Sequence, residues 1–155
     1  MTDNASSPSF QLDAFLPYML NQMAEAVSKG FQDRYQKDFG ITRTQWRLLA
    51  HLFAEDGLTA KEIGARIHED KVSISRAVAA LEAAGRLVRQ QGRKDRRFEE
   101  LHLTPEGRAL FEQLSQMALA YQNDLSDLLG ADATQRLRAV LVELLPLLKQ
   151  RLTGS

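Results

Sequence analysis

The stretch of sequence that decides the fold is LTAKEIGARIHEDKVSISRAVAALEAAGRL, which spans residues 58–87. Within it, Thr59 and Glu62 have the spacing of a capping box, in which each side chain satisfies a backbone donor in the first turn of a helix. Ile63 and Ile67 follow at helical spacing. These residues predict a short helix that turns both isoleucines toward a core.

A second helix is predicted directly after the first. Asp70 is a typical N-cap residue, because its carboxylate accepts hydrogen bonds from the first backbone amides of a helix. Ile74, Val78 and Leu81 recur three or four residues apart, which places one apolar face toward the core. Gly85 is suited to end the helix, since glycine adopts the left-handed conformation at little cost. Two short helices joined by a tight turn predict a helix-turn-helix pair.

After this pair the apolar pattern changes from helical to alternating. Residues 87–90 and 98–103 predict two short strands, with Leu101 and Leu103 on the inner face. The pattern therefore predicts a β-hairpin, which we call the wing. Its connecting segment carries four basic side chains around one acid: Arg93, Lys94, Asp95, Arg96 and Arg97.

Two helices are predicted before the helix-turn-helix pair. Apolar side chains recur at helical spacing from Phe15, and Gly40 closes this long first helix. Thr42 and Gln45 form a further capping box that opens the next helix.

Two more helices are predicted after the wing. Thr104 followed by Pro105 is a strong helix start, and Gly130 ends the helix. Asp132 is the predicted N-cap of the last helix, whose leucines and valines form a wide apolar stripe. Pro146 lies inside that helix, where it removes one backbone hydrogen bond.

The charge of the chain is balanced overall but uneven along its length. The 155 residues include 20 basic and 20 acidic side chains. Residues 61–97 hold ten basic and five acidic side chains, a net charge of +5. Such a concentration favours a polyanionic partner, while a solvated charged surface is the alternative.

Composition also excludes several classes of protein. The chain has no cysteine, which excludes disulfides and Cys-ligated zinc and fits a reducing cytoplasm. It shows no signal peptide pattern and no stretch of the roughly 20 apolar residues that a membrane span requires, so we expect a cytoplasmic protein without a membrane partner. His51, His68 and His102 lack the spacing of metal ligands.

No sequence motif of catalysis is present. The chain has no glycine-rich phosphate loop, nucleophile elbow or spaced His–acid pair. We therefore expect no catalytic residues, no cofactor and no enzyme activity, although a small enzyme remains an alternative. A winged helix that binds another protein is the second alternative, but its wing would not need four basic residues.

Duplex DNA is the partner that the pattern favours. The second helix of a helix-turn-helix pair enters the major groove with its N-terminal residues against base edges. The exposed candidates are Lys71, Ser73, Ser75 and Arg76, of which the cations can pair with guanine and the serines with bases or phosphates. The wing arginines suit the negative potential of a narrow minor groove.

From about residue 12 to residue 150 the chain resembles the MarR family of bacterial winged-helix regulators. The order of the motifs is more specific than any one of them. The motifs are GITRTQWRLL (40–49), LTAKEIG (58–64), DKVSISRAVAALE (70–82), GRLVR (85–89), DRR (95–97) and LHLTPEGR (101–108).

The resemblance implies a homodimer with entwined terminal helices on a pseudopalindromic operator. It also implies that Asp95 positions the wing, that Arg97 enters the minor groove, and that a small aromatic carboxylate is the effector. By the same resemblance, the residues of an effector pocket are Tyr18, Met19, Met23, Arg47 and His51. The absence of cysteine excludes the thiol-based peroxide sensors of the family.

The predicted fold class is mainly α with a small β-hairpin (α+β), a winged helix-turn-helix with terminal dimerisation helices. We expect a disordered tail at 1–11, a DNA-binding domain at 41–104, and a dimerisation region formed by 12–40 and 105–152. The predicted function is sequence-specific binding of double-stranded DNA by a transcriptional repressor.

Overall fold

The computed structural model describes residues 10–92 and 97–153. Most of the predicted tail, 1–9, lies outside them. The chain divides into two compact units at residues 111 and 112. After a short 3-10 turn at Leu12–Ala14, the described elements are α1 (Leu16–Phe39), α2 (Arg43–Ala54), β1 (Leu58–Thr59), α3 (Ala60–Ile67), α4 (Lys71–Ala83), β2 (Leu87–Gln91), β3 (Glu99–Leu103), α5 (Pro105–Leu129) and α6 (Ala131–Thr153). The predicted mainly α fold with a small sheet is confirmed.

Both predicted capping boxes are present. The Gln45 amide donates to Thr42 Oγ1 at 3.2 Å, and the Thr42 amide donates to Gln45 Oε1 at 2.7 Å. The Glu62 amide donates to Thr59 Oγ1 at 3.2 Å, and the Thr59 amide donates to Glu62 Oε2 at 2.8 Å. Helices α2 and α3 therefore start where local side-chain chemistry sets their ends.

The sheet has three antiparallel strands in the order β1-β3-β2. Leu58 pairs with Leu101, and Leu87 pairs with Leu103, and all four leucines are buried. The prediction of a two-stranded sheet was therefore incomplete. Strand β1 is two residues long, which is too short to show an alternating pattern in sequence.

An aromatic cluster joins three helices within the first unit. Trp46 of α2 stacks on Phe111 of α5 with ring centroids 5.5 Å apart, and meets Phe31 of α1 edge-on at 5.3 Å. Tyr35 packs against Phe31 at 5.0 Å and is almost completely buried. Trp46 itself is partly buried. These contacts fix α1, α2 and the start of α5 relative to one another.

The start of α5 lies very close to the turn between α4 and β2. Thr104 Oγ1 donates to the Gly85 carbonyl at 2.7 Å and accepts from the Gly107 amide at 3.0 Å. The Thr104 amide donates to the Arg86 carbonyl at 3.2 Å. A Cβ atom at Gly107 would collide with that same carbonyl oxygen. Glycine at this position is therefore required by the approach of two backbones.

The second unit begins its last helix two residues earlier than predicted. Helix α6 starts at Ala131, and the Gly130 carbonyl accepts from the Thr134 amide at 3.0 Å. Asp132 lies in the first turn, so its prediction as the N-cap was wrong. Gly130, with φ +81°, ends α5 and also takes the N-cap position, which leaves no room for a longer connection. Pro146 lies inside α6, as predicted.

We expect Gly107→Ala to destabilise the fold by about 3 kcal/mol, because the new methyl group forces two backbones apart. Urea unfolding at neutral pH measures the change. The control is Glu106→Ala at an exposed side chain of the same turn, which should change stability by less than about 0.5 kcal/mol. Equal stability of the two variants would contradict the close approach.

Candidate nucleic-acid interface

The N-terminus of α4 is held by one carboxylate. Asp70 Oδ1 accepts from the amides of Val72 and Ser73 at 2.8 and 2.9 Å, and Asp70 Oδ2 accepts from Ser73 Oγ at 2.6 Å. The hydroxyl of Ser73, followed by its amide, lowers the pKa of Asp70. The predicted N-cap is confirmed. Because the Ser73 hydroxyl hydrogen is already donated, Ser73 offers another partner only its oxygen lone pairs.

Helix α4 buries one continuous stripe. Its members are the predicted Ile74, Val78 and Leu81 together with Ala77, all at most 5% exposed. The close approach of α3 to this stripe depends on Gly64, where an added Cβ would lie 3.3 Å from Ile74 Cγ1. The stripe fixes the rotation of α4 about its axis and hence which side chains face outward.

The residues on the outward side of α4 are not the same as the predicted DNA-contact residues. At about 100° per residue, Val72 and Ala79 lie almost directly opposite the buried stripe, with Arg76 beside them. Lys71 and Ser75 lie on one flank, and all five side chains are exposed. Val72 was missed by the sequence analysis. A helical wheel drawn on the buried stripe would have found it.

The turn between α3 and α4 contains a strained residue. His68 has φ +56°, the left-handed region that non-glycine residues seldom adopt, and its amide donates to the Gly64 carbonyl. The turn is therefore tight, as the helix-turn-helix pattern predicts. Arg47 of α2 lies 3.9 Å from Glu69 in the same turn.

An arginine ties the wing to α4. Arg89 of β2 donates from Nε to Glu82 of α4 at 3.0 Å and from Nη1 to Glu99 of β3 at 3.2 Å. Glu82, more than Glu99, raises the pKa of Arg89. Two carboxylates neutralise this cation, so Arg89 orients the wing and adds little to its positive potential.

The tip of the wing is described only in part. The Gly92 amide donates to the Phe98 carbonyl at 2.8 Å, which closes the hairpin at its base. Arg97 is exposed, and its guanidinium lies 5.9 Å from the centre of the Phe98 ring. The other predicted tip residues lie outside the described residues: Arg93, Lys94, Asp95 and Arg96.

His102 on the outer face of β3 lies between two carboxylates. Its Nδ1 is 2.8 Å from Asp56 in the α2–β1 connection, and its Nε2 is 3.7 Å from Glu100. Arg108 of α5 lies 3.9 Å from Asp56 on the other side. Within residues 10–92 and 97–153, no group of three or more His, Asp or Glu side chains is arranged to bind a metal.

The predicted effector residues lie on two helices. Tyr18, Met19 and Met23 are on α1, where the Tyr18 hydroxyl accepts from Gln22 at 3.1 Å and both methionines are about half exposed. Arg47 and His51 are half-buried on α2. Burial, more than the charge of nearby Arg66, lowers the pKa of His51, which favours a neutral ring at neutral pH.

The contact between α1 and α2 that sequence analysis missed is an ion pair. Arg43 donates from Nη2 to Glu25 Oε1 at 3.2 Å and from Nη1 to Oε2 at 3.4 Å. The hydrogen bond with Arg43 is the largest cause of the lowered pKa of Glu25. Nearby, the buried Tyr35 hydroxyl has no hydrogen-bond partner among the described residues, and burial raises its pKa.

A capped helix-turn-helix followed by a β-hairpin defines the winged-helix class of DNA-binding proteins. A model of the MarR family matches residues 39–97. The chain is 28% identical to the HTH-type transcriptional regulator PapX of Escherichia coli over 136 residues, which cover 84% of this chain and 83% of the relative.

Solved structures agree with this match. The MarR family transcriptional regulator SPO1453 from Silicibacter pomeroyi DSS-3 is 28% identical with a TM-score of 0.78, and the match covers 90% of this chain and 98% of that one. The transcriptional repressor CouR, bound to a 23-mer DNA duplex, is 28% identical with a TM-score of 0.76, covering 86% and 94%.

The chain is therefore similar to the MarR family of winged-helix transcriptional regulators, and the match to the family model lies within residues 39–97. It is accordingly a DNA-binding transcriptional regulator and not an enzyme. In the part of the chain that the structure describes, no helix is both long and apolar enough to cross a bilayer.

We expect Ser73→Ala and Ser75→Ala to have different effects on stability. Ser73→Ala removes the bond to Asp70 and should lower the midpoint of thermal unfolding by about 2 °C at neutral pH. Ser75→Ala, at an exposed site, should change it by less than about 1 °C.

The loss in Ser73→Ala should also depend on pH. A carboxyl group whose pKa is lowered by folding stabilises the fold at pH values above its ordinary pKa. This contribution is lost as the pH falls through the lowered pKa. The difference between wild type and Ser73→Ala should therefore be greatest near neutral pH and shrink in acid. Calorimetry over this range that finds a constant difference would contradict the role of Ser73.

Proposed function

We propose that the chain is a cytoplasmic repressor that binds a pseudopalindromic operator as a homodimer. The observation that carries the proposal is the outward side of α4, which presents Arg76 between small side chains near a capped N-terminus. An arginine at this position can pair with O6 and N7 of guanine. Lys71 and Ser75 would contact flanking bases or phosphates, and Ser73 would accept a hydrogen bond from a base amino group. In this proposal residues 41–104 form the DNA-binding domain.

The wing would supply the second contact with DNA. Arg89 holds β2 against both α4 and β3, so the hairpin has a defined direction relative to α4. Arg97 would enter the minor groove, and Asp95 would position it by an ion pair. Arg93, Lys94 and Arg96 would add contacts with phosphates.

Charge and geometry make opposite predictions for Asp95→Ala. Removing an acid raises the positive charge of the wing, so charge alone predicts tighter binding. If Asp95 positions Arg97, its loss should weaken specific binding by about 1–3 kcal/mol, as Arg97→Ala should. Titrations of both variants at several salt concentrations distinguish the two. Tighter operator binding by Asp95→Ala at every salt concentration would exclude the positioning role.

Homodimer formation would bury apolar faces at both ends of the chain, 12–40 and 105–152. In the first unit, large apolar side chains near the start of the chain are each at least 46% exposed: Phe10, Leu12, Phe15, Leu16, Met19, Leu20 and Met23. In the second unit, α6 exposes a comparable set: Val140, Leu141, Val142, Leu144, Leu145, Leu147 and Leu148. Faces of this size favour a symmetric contact between copies.

We expect the protein to have about twice the chain mass of 17.4 kDa at micromolar concentration. Leu144→Glu should shift the mass toward the monomer, because it places a charge in the apolar face. The control is Gln135→Glu, which adds the same charge at an exposed polar site of α6. Light scattering measures all three, and a monomeric wild type would refute the dimer.

The proposed effector is a small aromatic carboxylate that releases the operator. Arg43 is already paired with Glu25, whereas Arg47 has a contact of only 3.9 Å with Glu69 and is better placed to bind a carboxylate. Tyr18, Met19, Met23 and His51 would line the pocket. The unpartnered Tyr35 hydroxyl is an available hydrogen-bond donor nearby.

A panel of benzoates should weaken operator binding by about 5- to 150-fold, the usual range of coupling between two sites. Arg47→Ala should remove this response while leaving DNA affinity in the absence of benzoate nearly unchanged. Fluorescence anisotropy with a labelled operator measures both. Full release of the Arg47→Ala variant by the same benzoates would show that the anchor lies elsewhere.

A further inference from the structure

The centre of the outward side of α4 is apolar. Val72, in the first turn, is 57% exposed, and Ala79 follows two turns later on the same line. Arg76 lies one turn from Val72 and beside it. This valine is more than half exposed and is a poorer helix former than alanine, so it contributes little to folding.

The charges around Val72 favour DNA over an apolar protein partner. Lys71 and Arg76 are the nearest cations on the helix, and both are exposed. The acids at the two ends of this helix are engaged in other contacts. Asp70 accepts hydrogen bonds from the first backbone amides of the helix, and Glu82 accepts one from Arg89. An apolar side chain surrounded by cations fits a polyanion that also displays an apolar group.

Duplex DNA has one such group in its major groove. Each base pair shows a different pattern there, and the C5-methyl group of thymine is its apolar element. We propose that Val72 contacts a thymine C5-methyl group, about one helical turn from the base contacted by Arg76, and so selects A·T at one position of each half-site. The inference rests on the proposed placement of α4 in the major groove.

The test begins with selection of duplexes from a random-sequence library by the full-length wild-type protein. One enriched duplex is then synthesised with each thymine replaced singly by deoxyuridine, which removes only the methyl group. Dissociation constants are measured for the wild type, Val72→Ala and Val88→Ala. Val88 is the control, because it is another exposed valine, 40% accessible, on β2.

For wild type, deoxyuridine should weaken binding about fourfold at one thymine in each half-site, which is the effect of one buried methyl group. Val72→Ala should bind the thymine and deoxyuridine duplexes equally, and Val88→Ala should keep the fourfold ratio. Because alanine raises helix propensity at an exposed site, Val72→Ala should unfold no earlier than wild type.

Four results would overturn the inference. An enriched duplex with no thymine sensitive to deoxyuridine, or an unchanged ratio in Val72→Ala, would refute the methyl contact while leaving DNA recognition intact. A changed oligomeric state of Val72→Ala without DNA would assign the residue to a protein contact. Failure of the library to yield any enriched sequence would refute the proposed function as well.

Discussion

The burial of one face of α4 is the constraint on which the rest of the interface depends. Ile74 and Leu81 mark this stripe, and a rotation of the helix by one residue, about 100°, would remove it from the core. Gly64 lets α3 approach the stripe closely, and Asp70 fixes the residue at which the helix starts. The side chains that face outward follow from this packing and not from their own chemistry.

Ion pairs within the fold reduce the charge that the basic segment presents. Arg66 is paired with Glu55 at 2.7 Å, and Arg89 is shared by two carboxylates. The net charge of residues 61–97 includes these arginines together with Lys71 and Arg76, although the contacts of the two groups differ. The cation that orients the wing, Arg89, is thus distinct from the cations that are exposed on α4, Lys71 and Arg76. The net charge of a segment predicts the kind of partner that it binds, but not which residues contact that partner.

Local chemistry explains what could be predicted. The two capping boxes, the Asp70 N-cap and the bounds of α4 depend on residues within a few positions of one another. The contact of His102 with Asp56 joins residues 46 apart, and no pattern in the sequence indicates it. Strand β1 exists only because β3 pairs with it. Val72 was missed because a single exposed apolar residue is ordinary, although the predicted stripe of Ile74, Val78 and Leu81 already indicates which side of the helix faces outward.

Dimethyl sulfate protection on a selected duplex tests most directly the claim that α4 enters the major groove through its outward side. The reagent methylates guanine N7 in the major groove and adenine N3 in the minor groove. Wild-type protein should protect one guanine N7 in each half-site, and Arg76→Ala should leave that guanine reactive while the duplex stays bound. Binding by the wild type with every guanine N7 still reactive and only adenine N3 protected would contradict the account.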